Sequence, residues 1–403
     1  MGGEMSQQEK LWNKPYLILI GCNLLLFFTL QMIITSNPGY IREQYNASDM
    51  MVSLFTSLFA LSAIAARLYA GRAIGKGHRS VILFAGLIIA WLATTGYYIT
   101  GGMLLLLFMR MIFGIGFGLS STVFPTMASD VIPAKRMGEG MGYFGLSTSI
   151  SMSLGPLVGL FLLEHYNFQV LTTVAVVMIA VIFPLAYLVR KSASNHHGPE
   201  KSVREVEQPQ GSVKRALFLP ALLNFLLAVT YGGIISFMAL FGEEVHLSGV
   251  GAFFLINAIA IIIVRPFSGK MFDKIGPKAV LLPGAALTIA GLVLLSLATE
   301  MSVLAAAAIC YGAGYGFIQP SLQAWMIQKV SPEKRGVANG LFLNSLDFGI
   351  AVGAMVLGII ASGTSYVMMY RLSSIIMVVF LILFIVSFIN TRAKKSTSKS
   401  NAM

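Results

Sequence analysis

The sequence predicts an all-α membrane protein, with twelve transmembrane helices in two pseudo-symmetric six-helix bundles. Three observations predict it. Of 403 residues, 56% are apolar and 11% charged, where soluble proteins carry about 25% charge. The apolar residues fall in runs of roughly 20, the length that crosses a hydrocarbon core. The chain also echoes itself at an offset of 198 residues: Arg67-Leu68-Tyr69-Ala70-Gly71-Arg72 recurs as Arg265-Pro266-Phe267-Ser268-Gly269-Lys270, and Phe113-Gly114-Ile115-Gly116-Phe117-Gly118 as Tyr311-Gly312-Ala313-Gly314-Tyr315-Gly316. Two unrelated patterns with one offset indicate a duplicated unit.

In chain order, the first run is 15–36. It leads into Asn37-Pro38-Gly39 without a small-residue cleavage pattern, so it reads as a retained span and not a signal peptide. The second, 50–69, closes on the first arginine pattern; 80–99 follows, and 102–124 carries the first glycine pattern. The run 140–163 contains Gly155-Pro156, and 168–189 completes the first half. The second half repeats the plan at 216–240, 250–269, 279–299, 302–325, 337–361 and 368–390. The polar, charged stretch 190–215 reads as a linker between an amino-terminal bundle, 1–189, and a carboxy-terminal bundle, 216–390. The basic, Ser-rich tail 391–403 is expected to be disordered.

Lys and Arg mark the cytoplasmic side of a membrane protein. With the amino terminus, the linker, the tail and the loops after spans 2, 4, 8 and 10 on one side, that side holds all 28 basic residues except Arg42, Arg110 and Arg371. Both termini are therefore expected in the cytoplasm.

The formal net charge of +12 lies between spans and forms no stripe on a soluble face, which argues against nucleic acid. Cys22 and Cys310 sit inside apolar runs, so they provide no disulfide framework. The methionine clusters lack Cys or His companions, so no metal site is expected. Without a Gly-rich nucleotide loop or a Ser-His-Asp set, the chain reads as neither an enzyme nor a cofactor protein.

The loop after span 8 carries Gly269, Asp273, Gly276 and Lys278, and the loop after span 2 carries Gly71 and Arg72, with Gly75 and His78 in the places of the acid and the second glycine. On these residues the chain resembles the major facilitator superfamily, and within it the bacterial twelve-span proton-coupled efflux proteins. The resemblance extends from span 1 to span 12. It implies a conformational latch at Gly71, Arg72, Gly269, Asp273 and Gly276, in which Asp273 holds a basic group or helix end of the neighbouring bundle; ordinary surface solvation is the alternative for Asp273, and membrane topology and phosphate contact that for Arg72. It also implies a proton-coupling role for Arg110 in span 4; independently, an arginine at mid-span should face protein or a water-filled cavity, and a structural arginine is the alternative. Gly155, Pro156 and Gly159 are similar to the glycine-proline element of family antiporters, although Ser151 and Leu160 stand where glycine is usual. In span 11, Gly349 corresponds to Ser151 and Gly353 to Gly155, and close helix packing is the alternative reading.

Asp347 is the one acid deep inside a span. An isolated carboxylate in apolar surroundings can take up and release a proton, so Asp347 is the candidate proton carrier or binder of a cationic substrate group. A fixed pair with Asn344, a serine or an arginine is the structural alternative. In a two-bundle transporter the substrate meets polar residues near the midplane. Candidates are Asn23 and Gln31 in span 1, Asn224 and Tyr231 in span 7, Asn257 in span 8, Gln319, Gln323 and Trp325 in span 10, and Asn344 in span 11.

The resulting expectation is a monomeric secondary transporter of a bacterial cytoplasmic membrane, working by alternating access. It would export a small organic or amphipathic compound in exchange for protons, with lipids as its surroundings. Uptake or facilitated passage of a metabolite, and a non-transporting sensor or scaffold, remain alternatives.

Overall fold

Backbone polar groups cannot stay unpaired in hydrocarbon, so apolar runs of this length cross a bilayer as helices. The computed structural model describes residues 11–45, 49–75, 78–99, 102–194 and 210–400. Among the described residues, 12 helices are long and apolar enough to cross a membrane. They are α1 (Lys14–Tyr45), α2 (Asp49–Ile74), α3 (Arg79–Thr95), α4 (Met103–Val131), α5 (Met137–His165), α6 (Phe168–Ser194), α7 (Gln210–Glu244), α8 (Ala252–Ile275), α9 (Pro277–Ser296), α10 (Met301–Gln328), α11 (Arg335–Gly363) and α12 (Tyr366–Ser400).

The two largest departures from the expected boundaries are at the ends of α1 and α12. Helix α1 continues past 36 through Pro38 to Tyr45. Helix α12 is described to Ser400, and 401–403 lie outside the described residues. The central linker falls largely outside them too, at 195–209.

The repeat becomes physical in the packing. A Cβ added at Gly114 of α4 would meet the Phe59 carbonyl of α2 at 2.7 Å; one added at Gly312 of α10 would meet the Asn257 carbonyl of α8 at 2.6 Å. Phe59 and Asn257 are themselves 198 apart. Gly116 approaches Gly86 and Ala90 of α3, and Gly314 approaches Gly284 and Thr288 of α9, again at the 198-residue offset. Thus alternate glycines of each pattern admit two different helices to near backbone contact. Short 3-10 turns at Ala134–Arg136 and Pro332–Lys334 precede α5 and α11 at the same offset.

The first helix of each half obeys a different offset. Asn23 Nδ2 donates to Ser147 Oγ at 2.8 Å, and Asn224 Nδ2 donates to Ser345 Oγ at 2.9 Å. The serines are 198 apart and the asparagines 201. The same shift relates the α5–α1 approach of Gly155 to Phe28 and the α11–α7 approach of Gly353 to Val229.

By contacts, the chain forms two compact units. The first comprises Met1–Ala216 with Met326–Asn344, and the second Leu217–Trp325 with Ser345–Met403.

Candidate functional site

In the second unit, Arg265 stands near the middle of α8 and is 1% exposed. Its Nη2 donates to Gln319 Oε1 of α10 at 2.6 Å. Ser268, one turn along, donates to the Arg265 carbonyl at 2.9 Å and the Gly316 carbonyl at 3.2 Å, tying the two helices together at this level. The rings of Tyr231 and Tyr315 are 4.9 Å apart, those of Tyr311 and Tyr315 6.3 Å apart, and the Tyr311 hydroxyl lies 2.9 Å from Thr230 Oγ1. Tyr315 and Tyr231 lie within electrostatic range of Arg265, and the partly exposed Asp347 lies within range of Tyr315. Of the residues expected at a cavity, Tyr231 and Gln319 therefore fall in one group, and the charge of Asp347, the proton-carrier candidate, reaches its Tyr315. Asn257 lies about two turns before Arg265 in α8, against Gly312.

Arg265 and its counterpart Arg67 correct the charge assignment, which places both in surface loops. Arg67 is 2% exposed inside α2, with Nε 3.4 Å from Ser121 Oγ of α4 and its guanidinium 5.7 Å from the Phe117 ring. An arginine at the edge of an apolar run looks like a boundary, yet here the helix continues and buries it. The available signal is the repeat: each arginine bonds a residue 54 positions later. The second copy replaces Phe117 by Tyr315 and Ser121 by Gln319.

Arg110 of α4 is fully buried among the rings of Phe59, Phe55 and Phe113, at 4.4, 4.7 and 5.5 Å. Tyr97 is its polar neighbour, but none of its three guanidinium nitrogens meets a partner at full hydrogen-bond geometry among the described residues. The aromatic faces stabilise the cation. Ala308 occupies the equivalent place in α10.

A second charged cluster lies in the first unit. Asp130, at the end of α4, accepts hydrogen bonds from Arg79 at the start of α3 and from Arg335 Nη1 at the start of α11, the latter at 3.0 Å. Arg335 also donates to the Ser129 carbonyl at 2.7 Å, and Asn339 Nδ2 reaches Thr126 Oγ1 at 3.3 Å. Gly71 and Gly75 face the same segment: an added Cβ would lie 3.1 Å from the Gly336 carbonyl and 2.7 Å from the Glu333 carbonyl, respectively. Asp130 escapes sequence reading because an acid at a span end resembles any surface acid. Nearby, Lys329 reaches the Ala216 carbonyl at 3.3 Å, and burial holds its ammonium below the usual lysine range.

The remaining candidates are distributed. Arg72 is exposed; Lys278 stacks its ammonium on the Phe388 ring; Gly269 is buried; Asp273 is partly exposed at the end of α8. Gly276 has φ +94 and ends that helix in a conformation that favours glycine. Gly155 and Gly159 of α5 face Gln31 and Met32 of α1, with Pro156 inside α5; Gly349 faces Phe225 and Ala228 of α7. Gln323 is buried, Trp325 sits edge-on to Phe384, and the buried amide of Asn344 has no hydrogen-bond partner among the described residues.

Comparison with known proteins agrees with this architecture. The family model described as Major Facilitator Superfamily matches residues 19–354 and 221–403. The chain is 21% identical over 374 residues to the staphylopine export protein of Staphylococcus aureus, covering 89% of this chain and 92% of that protein. It is 24% identical over 341 residues to the multidrug resistance protein MdtG of Proteus mirabilis, covering 80% and 82%. Its fold superposes on the crystal structure of the transporter FucP in the outward conformation with a TM-score of 0.75, at 14% identity, covering 93% of this chain and 98% of that one. These matches span both halves of the chain, and it belongs to the major facilitator superfamily of multi-pass membrane transporters.

Proposed function

We propose that this secondary transporter exports a small organic or amphipathic compound in exchange for protons, with Asp347 carrying the proton. The observation that carries the reading is Asp347 itself, a partly buried carboxylate inside α11 whose charge reaches Tyr315 of α10. A carboxylate there changes the field on Tyr315 of α10 when it gains or loses a proton, so protonation is linked to the packing of α10 and α11. The export direction draws support from two relatives, whose names are those of an export protein and a multidrug resistance protein.

In this reading the protein works as a monomer in a bacterial cytoplasmic membrane, with both termini in the cytoplasm. The cluster at Asp130 then acts as a cytoplasmic latch, together with Gly71 and Arg72, while Gly269, Asp273 and Gly276 form its second copy. One proton moving down about 100 mV supplies about 2.3 kcal/mol, enough for roughly 50-fold accumulation of a neutral solute.

Imposing pH gradients of either sign on proteoliposomes tests the direction. Export predicts that substrate moves against the proton flow. Movement with the protons would establish uptake instead, and gradient-independent equilibration would establish facilitated passage.

A further inference from the structure

Each half of the chain buries an arginine between its second and fourth helices, but the two arginines have different company. Arg67 lies against the apolar ring of Phe117 and the short hydroxyl of Ser121. Arg265 has tyrosine and glutamine at those places, and Tyr231 of α7 packs against Tyr315. Where the repeat diverges, the second copy has gained hydrogen-bonding groups around a cation.

Those groups do not use up one another. Gln319 accepts from Nη2 alone; Arg265 Nε and Nη1 have no partner among the described residues, and neither does the buried Tyr315 hydroxyl. No carboxylate among the described residues pairs with Arg265. A buried donor left unpaired is costly, and a buried cation more so. Arg110 meets that cost with three aromatic faces. Arg265 instead leaves N–H groups unpaired, and Tyr315, within electrostatic range of it, leaves a phenolic O–H unpaired; an anionic oxygen reaching both would accept from both. The tyrosine rings supply flat apolar contact for whatever carries that anion.

We infer that Arg265, Tyr315, Tyr231 and Gln319 form a carboxylate-binding subsite that holds the acidic group of a small organic acid or zwitterion. Arg265 and Tyr315 donate to the carboxylate, Gln319 orients the guanidinium, and Tyr231 packs on the organic portion. The inference rests on the transporter reading above and narrows its substrate to compounds bearing a carboxylate.

The test is equilibrium binding to the purified full chain in lipid nanodiscs, at fixed pH and without any gradient. The probes are benzoate, phenylacetate and hexanoate, each compared with its primary amide, and with phenethylamine as a cationic counterpart. Ligand binding is read from thermal stabilisation. At least one acid is expected to stabilise the protein where its amide does not. Its apparent affinity is expected to fall about tenfold or more in Arg265→Gln, and about threefold to tenfold in Tyr315→Phe. The latter installs the residue that the first half already uses at Phe117. If Arg265→Gln does not fold, Arg265→Lys and Tyr315→Phe decide the matter. Equal or better binding of the amides or the amine, no binding of any acid, or undiminished binding by these variants would overturn the subsite. Vesicle flux separates this failure from that of the broader reading. Proton-driven movement of phenethylamine but no acid removes the subsite and leaves the transporter reading. An acid that binds through Arg265 but moves under neither gradient leaves the subsite and removes coupled export.

Discussion

Asp130 and Arg335 are joined by a 3.0 Å hydrogen bond between Oδ1 and Nη1, and the same carboxylate also accepts from Arg79. This places an acid beside the start of α11, where the loop after α2 has Gly75 instead of the expected aspartate. Partly exposed pairs are individually weak, but sharing one carboxylate between two arginines adds geometric constraint. A double-mutant cycle with Asp130→Asn and Arg335→Gln should give a coupling of about 0.5–1 kcal/mol in thermal unfolding. Additive effects would mean that the bond contributes nothing.

Restoring the expected acid should do harm. A side chain at Gly75 would enter within 2.7 Å of the Glu333 backbone carbonyl, an acceptor that repels a carboxylate. Gly75→Asp is expected to lower stability by about 1–3 kcal/mol, measured by thermal unfolding in detergent. A neutral or stabilising effect would show that the loop adapts freely.

The duplicated glycines make a symmetric prediction. Gly114 and Gly312 admit a carbonyl of the neighbouring helix to within 2.7 and 2.6 Å, respectively, of an added Cβ. Gly114→Ala and Gly312→Ala should therefore destabilise by similar amounts, about 1–3 kcal/mol each, read from thermal unfolding. A loss confined to one of the two variants would break the equivalence of the halves.

Arg110 separates stability from function. Replacing a buried charge that lacks well-formed hydrogen bonds with an apolar side chain of similar volume is often neutral or stabilising, whereas the aromatic faces offer about 0.5–2 kcal/mol of opposing attraction. Arg110→Met is expected to leave the melting temperature unchanged or raised, and to reduce proton-driven transport at least tenfold. Full transport activity would make the residue structural.

The duplication is legible in the sequence because glycine positions record backbone contact directly, and the same contacts recur in both halves. The shift to an offset of 201 in α7 is not, since Asn23 and Asn224 reveal it only through their bonds to Ser147 and Ser345. Charge is less legible than apolarity. Arg67 and Arg265 stand near the ends of apolar runs, so linear reading treats them as surface residues; only the continuing helices and the bonds to α4 and α10 reveal that they are buried. Asp347, alone in its run, is conspicuous, while Asp130 acquires meaning from two arginines that fold around it.

In the proposed cycle, protonation of Asp347 couples the proton gradient to transport. Uphill substrate movement in proteoliposomes carrying Asp347→Asn, across a range of pH and with a fixed gradient, tests this coupling directly. Gradient-driven accumulation is expected to be lost while downhill exchange persists, with its pH dependence flattened. Full accumulation with an unchanged pH profile would contradict it.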